Sequence, residues 1–140
     1  MDQMFVPLKR YAEFTGRSRR KEFWTYFLMI WIALFVLMYL DSALGLGGSA
    51  TTYANDKGVG FNMTGGVLTL LFALGVLVPN LAVSVRRLHD VGKSGWMLLV
   101  GLIPLFGWLY LLFLYVQPGI TGPNAYGPDP KGGDQGQVFA

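Results

Sequence analysis

The sequence predicts an all-α integral membrane protein: three transmembrane helices, a short interfacial amphipathic helix before them, and a Gly/Pro-rich C-terminal tail. Three observations carry this. Phe23–Leu40, Gly58–Val85 and Ser94–Pro128 contain no charged residue, and a mostly apolar run of about 18 or more residues is long enough to cross a bilayer core as a helix. Composition agrees, since 53% of the 140 residues are hydrophobic and only 14% charged. Basic residues then gather beside particular span ends, as they do in membrane proteins of defined orientation.

Residues 1–20 form the first segment, on the cytoplasmic side. Within it residues 2–16 read as a surface helix, because Met4, Leu8 and Tyr11 share a face while Lys9, Arg10 and Glu13 lie elsewhere. Pro7 fits a first turn and Gly16 a stop. The first span is expected at about 21–44, with Trp24 and Tyr26 at its cytoplasmic end and Tyr39 near the other. Its apolar run exceeds the roughly 7–15 residues of a signal-peptide core, so it is read as an uncleaved span. Residues 41–63, rich in Gly, Ser, Thr and Asn, read as an exposed, flexible loop.

The second span is expected at about 64–86, its helix running on to Val91 and stopping at Gly92. Pro79 should kink it, and Asn80 and Ser84 form an intramembrane polar stripe at i and i+4. Polar side chains there usually bond a neighbouring helix, and packing is the simpler reading of this pair. The third span is expected at about 96–116, with Ile103-Pro104-Leu105-Phe106-Gly107-Trp108 midway. Proline is tolerated in membrane helices, which favours one kinked span. The alternative is a break into a helical hairpin that returns the tail to the cytoplasm. Residues 117–140 cannot be helical; Gly122–Pro130 suggests an ordered turn, with disorder beyond Lys131.

Lys9, Arg10, Arg17, Arg19, Arg20 and Lys21 precede the first span, and Arg86, Arg87 and Lys93 follow the second. These ends should be cytoplasmic, the 41–63 loop should face out, and three full spans would leave the tail outside. With no cysteine and one histidine, disulfides and cysteine nucleophiles are excluded, and no metal site or cofactor is expected.

The candidate site is a cytoplasmic polar platform of Arg17, Arg19, Arg20, Glu22, Arg86, Arg87, His89, Asp90 and Lys93. Asp90 can pair with Arg86 at i−4 or Arg87 at i−3. Glu22 is expected to take one of those two arginines, leaving the other to hold a lipid phosphate or a partner's carboxylate. The plainer reading is an interhelical bridge that fixes the bundle. His89 and Asp90 are adjacent and diverge on a helix, so they make no catalytic dyad. Gly92-Lys93-Ser94 lacks the upstream glycine of a phosphate-binding loop, where Arg87 stands.

Four ordered motifs carry a family resemblance: Arg17-Ser18-Arg19-Arg20-Lys21-Glu22-Phe23-Trp24, Arg86-Arg87-Leu88-His89-Asp90 with Gly92-Lys93-Ser94-Gly95-Trp96, Ile103–Trp108, and Asn124-Ala125-Tyr126-Gly127-Pro128-Asp129-Pro130. From about Tyr11 to Pro130 the chain resembles the bacterial "domain of unknown function 805" family of small inner-membrane proteins. The resemblance implies a bacterial cytoplasmic-membrane location and supplies no activity, substrate or catalytic residue.

The expected function is therefore that of a non-enzymatic accessory or scaffold whose basic face engages membrane lipids, anionic ones above all, or a membrane protein partner or second copy; nucleic acid is not expected. A transporter or channel subunit is the alternative. No span has an ionisable residue at its centre or a Gly-xxx-Gly pair, which leaves Asn80 and Ser84 to line any path. A lipid-phosphate enzyme, with His89 as acid or base, is a third reading.

Overall fold

The computed structural model describes residues 5–132. Met4 at the start of the expected surface helix, and residues 133–140, expected to be disordered, lie outside them. The element order is α1 (Val6–Lys9), α2 (Arg20–Leu44), β1 (Ser49–Asn55), β2 (Gly58–Thr64), α3 (Val67–Asp90), a 3₁₀ helix (Gly95–Leu102) and α4 (Phe106–Val116). The chain divides into two compact units, Met1–Tyr26 with Val78–Ala140, and Phe27–Leu77.

Residues 27–77 hold the long apolar body of α2, the two strands and the first half of α3. Among the described residues two helices, Arg20–Leu44 and Val67–Asp90, are long and apolar enough to cross a membrane. Leu28, Trp31, Ile32, Phe35, Val36, Leu70, Leu71 and Leu74 are all exposed on these helices. The 41–63 segment is not a flexible loop. β1 and β2 pair antiparallel from Ser49↔Thr64 to Asn55↔Gly58, closing on a two-residue turn at Asp56-Lys57. Polar and glycine content hid the strands, although Thr52-Tyr53 and Val59-Gly60-Phe61 are β-prone pieces flanking a turn sequence. The buried Asp41 then closes the unit. Its carboxylate accepts from the backbone N–H of Gly66, Leu68 and Thr69, each at 2.9 Å, and from Thr69 Oγ1 at 2.7 Å. It thereby satisfies the orphan donors at the start of α3 from another helix.

The other unit begins with α1, a single turn of four residues with Pro7 buried. The surface helix expected over 2–16 is thus confined to Val6–Lys9 within the described residues. Glu13 sits against Arg10 instead, at 2.5 Å. α3 runs through Pro79 and ends at Asp90. Gly92, with φ +74°, turns the chain while Lys93 N–H donates to Leu88 O at 2.8 Å, which is the helix-ending role expected of it.

The expected third span over 96–116 is broken. Ile103 takes an extended conformation (φ −78°, ψ 114°) before Pro104, as the proline ring demands of its predecessor. Leu105 follows with φ 63° and ψ −65°, and Phe106 N–H donates to Pro104 O at 2.8 Å. This is a γ-turn of the strained, positive-φ kind. The two arms then lie against one another: a Cβ on Gly107 would come within 1.9 Å of Val100 O. At about 1.5 Å per residue, the 11 residues of α4 reach only ~16 Å, short of a bilayer core.

Both arms of the hairpin meet the same end of α3. Gly95 abuts Val85, and Arg87 Nε donates to Tyr115 O at 3.2 Å. Leu88, Val91, Leu111 and Leu114 form the buried core there, with Met97, Leu98 and Tyr115 packed against it. Phe23 of α2 adds an aromatic contact to Tyr115, with centroids 4.6 Å apart.

Candidate functional site

The basic residues of the platform fall into three groups by burial. The first surrounds Asp90, which is 3% exposed. Arg17 Nε donates to Asp90 Oδ1 at 3.0 Å, and Arg87 Nη1 to Oδ2 at 2.5 Å, so one carboxylate holds two buried arginines. Their remaining nitrogens go to backbone carbonyls at the end of α4 and in the chain after it. Arg17 donates to Gly122 O at 2.6 Å and also to Ile120 O, while Arg87 donates to Tyr115 O and to Gln117 O. Asp90's own carbonyl accepts from Ile120 N–H at 2.8 Å. Planar guanidinium forks suit this work, since each binds a carboxylate and backbone carbonyls at once. The expectation that the arginine not taken by Glu22 is left free is corrected for Arg87, whose three nitrogens each donate to a group inside the protein.

The second group is Glu22 and Arg86, both buried, with Glu22 Oε1 3.9 Å from Arg86 Nη1. Arg86 is thus the arginine that faces Glu22. Its carbonyl accepts from Ser18 N–H at 3.1 Å, which ties the entry of α2 to α3.

The third group lies outside this core. Arg20, Lys21 and Lys93 are exposed. Arg20 and Lys21 line a shallow, open depression with Trp24, Thr25 and Val116, and Arg20 Nη1 reaches Val116 O at 3.3 Å. Arg19 is half-buried and donates to Pro130 O.

The tail is built on these side chains. His89 Nδ1 lies 3.1 Å from Gly16 O, and its ring stacks on Tyr126 with centroids 4.0 Å apart and planes 3° off parallel. His89 O accepts from Asn124 Nδ2 at 2.9 Å. Asp129 accepts from the N–H groups of Lys131 and Gly122, each at 2.9 Å, and those bonds hold its carboxyl below the ordinary carboxylate range. The motif Asn124–Pro130 was legible as a turn. The carbonyls of Tyr115, Gln117, Ile120 and Gly122 were not, since every residue carries one and no side chain advertises its use.

Of the expected intramembrane pair, Ser84 is buried, and Asn80 Oδ1 is buried without a partner. Among the described residues no three His, Asp or Glu side chains gather in a metal-binding group. Asp90 has both oxygens committed to arginines, so it does not orient His89 for acid–base work.

Residues 11–128 match the family model described as protein of unknown function DUF805. The chain belongs to this family. It is 40% identical over 134 residues to inner membrane protein YhaH of Escherichia coli K12, covering 94% of this chain and 98% of that protein. It is 36% identical over 126 residues to inner membrane protein YhaI of the same organism, covering 90% and 92%. No solved structure matches it. Membership of DUF805, inner-membrane relatives and two membrane-capable helices together make this a bacterial inner-membrane protein.

Proposed function

We propose that the protein is a small non-enzymatic accessory or scaffold of the inner membrane that binds anionic lipid at its cytoplasmic face. The observation that carries this is the division of the basic residues by burial. Arg17, Arg86 and Arg87 serve the interior, while Arg20 and Lys21 open with Trp24 onto one surface depression. An indole beside exposed cations at the end of an apolar helix matches the headgroup layer, where aromatic rings and bases both partition. Each base near an anionic surface contributes about 1 kcal/mol.

The same reading sets the topology. Arg17 and Asp90 join the basic end of α2 to the basic end of α3, and both ends favour the cytoplasm. α2 and α3 then span the membrane, 95–116 is a re-entrant hairpin in the cytoplasmic leaflet, and the tail lies on the cytoplasmic side with the N-terminus.

The test is lipid retention by native mass spectrometry from nanodiscs of mixed phosphatidylglycerol and phosphatidylcholine. The Arg20→Glu/Lys21→Glu variant should retain at least about tenfold less phosphatidylglycerol, on the scale of 1 kcal/mol per lost base. Retention equal to the parent chain would overturn the reading, and a stoichiometric protein bound in place of lipid would redirect it to a partner.

A further inference from the structure

Arg86 is the least satisfied charged group described in this protein. Its side chain is wholly buried, and Nε reaches only Ala82 O at 3.4 Å, folded back one turn along α3. Nη1 and Nη2 have no hydrogen-bond partner, and neither does Glu22 Oε1, the carboxylate oxygen facing them. A guanidinium cannot shed its charge to escape burial, so four N–H donors in a low-dielectric interior require an acceptor. The neighbouring Arg87 shows the contrast, with Asp90, Tyr115 O and Gln117 O all engaged.

The separation of Glu22 Oε1 and Arg86 Nη1 is 3.9 Å. That exceeds the roughly 2.7–3.2 Å of a direct hydrogen bond. Two hydrogen bonds of about 2.8 Å meeting near a right angle at one oxygen span about 4 Å. The ligand that fits must be that small, and must accept from the guanidinium while donating to the carboxylate. An anion would face Glu22 and a cation would face Arg86. Arg10 and Glu13, which act on Arg86 with opposite sign, are paired with each other at 2.5 Å and favour neither ion.

We propose that Glu22 and Arg86 form a bound-water site between the start of α2 and the end of α3, making their ion pair water-mediated. A buried water needs two to four polar partners, and this pair supplies a carboxylate acceptor and several N–H donors. On the topology proposed above, the site sits one helical turn inside the cytoplasmic end of α3.

Water-edited solid-state NMR on the full chain in lipid bilayers, with ¹⁵N-labelled arginine, tests this. The Arg86 guanidinium signals are assigned by their loss in Arg86→Lys. Transfer of water magnetisation to Arg86 should be comparable to that at exposed Arg20, retained in Glu22→Gln, and at least threefold slower in Glu22→Leu. Persistence of the Arg87 guanidinium shifts certifies that the Glu22→Leu protein keeps its fold. Transfer to Arg86 as slow as to the buried Val83 amide would overturn the proposal, and so would fast transfer that Glu22→Leu leaves unchanged.

Discussion

Asp90 is the residue on which the buried arginine cluster beside the tail depends. It is the shared counterion of Arg17 and Arg87, both buried, and removing it strands two charges. Breaking a buried pair by deleting one partner costs about 3–5 kcal/mol. Asp90→Ala should therefore lower the thermal unfolding midpoint in detergent sharply, whereas Lys93→Ala, at an exposed position, should leave it in place. Asp129 carries a pH prediction. Its carboxyl is depressed by the Lys131 and Gly122 amides it caps, so the stability it adds is fully present above the unfolded carboxylate pKa. That contribution is lost as pH falls through the lower folded value. The Gly122 and Lys131 amide resonances should hold constant from neutral pH to about 4 and shift only in stronger acid. A transition near pH 6 would mean another group controls the turn. At this scale the sequence showed which residues were chemically notable, and Asp90 with Arg87 at i−3 was readable from spacing alone. Burial was not readable, because it depends on chain segments far away along the sequence.

Among the elements, the hairpin over 95–116 shows how local chemistry sets a limit without choosing the outcome. Pro104 dictated an extended Ile103, yet many membrane helices absorb a proline as a kink. The choice of a full break is made by close packing of the two arms, which Gly107 permits by exposing its backbone to Val100 O. Gly107→Ala should cost about 1–3 kcal/mol as an overpacked contact, read as a fall in thermal midpoint. Gly75→Ala, where a Cβ meets nothing within 4 Å, serves as the control and should be neutral or slightly stabilising. Equal effects from the two would show that the arms do not approach this closely. The β1–β2 hairpin was missed for a related reason. Its β-prone residues are interspersed with Gly, Ala, Ser and Asn, and the pairing of Ser49 with Thr64 is set by the ends of the helices that carry it, through Asp41 and Gly66.

For the molecule as a whole, the test of topology is which side each segment faces. The chain has no cysteine, so single replacements report cleanly. Thr15→Cys and Lys131→Cys should both resist a membrane-impermeant maleimide added to intact cells and react in inverted vesicles, and Lys57→Cys should do the reverse. A Lys131→Cys chain labelled from outside would restore three full spans. Long uncharged runs, flanking bases and four ordered motifs were enough to predict a helical inner-membrane protein of this family, because partition into lipid depends on composition within a local window. Tertiary structure decided which arginines are interior and where the tail goes. Those outcomes rest on contacts such as Arg17 to Asp90 and Arg17 to Gly122, which are 73 and 105 residues apart along the chain. No local pattern encodes a buried guanidinium's partners, since backbone carbonyls can supply them as well as carboxylates, and only the folded chain brings those carbonyls within reach.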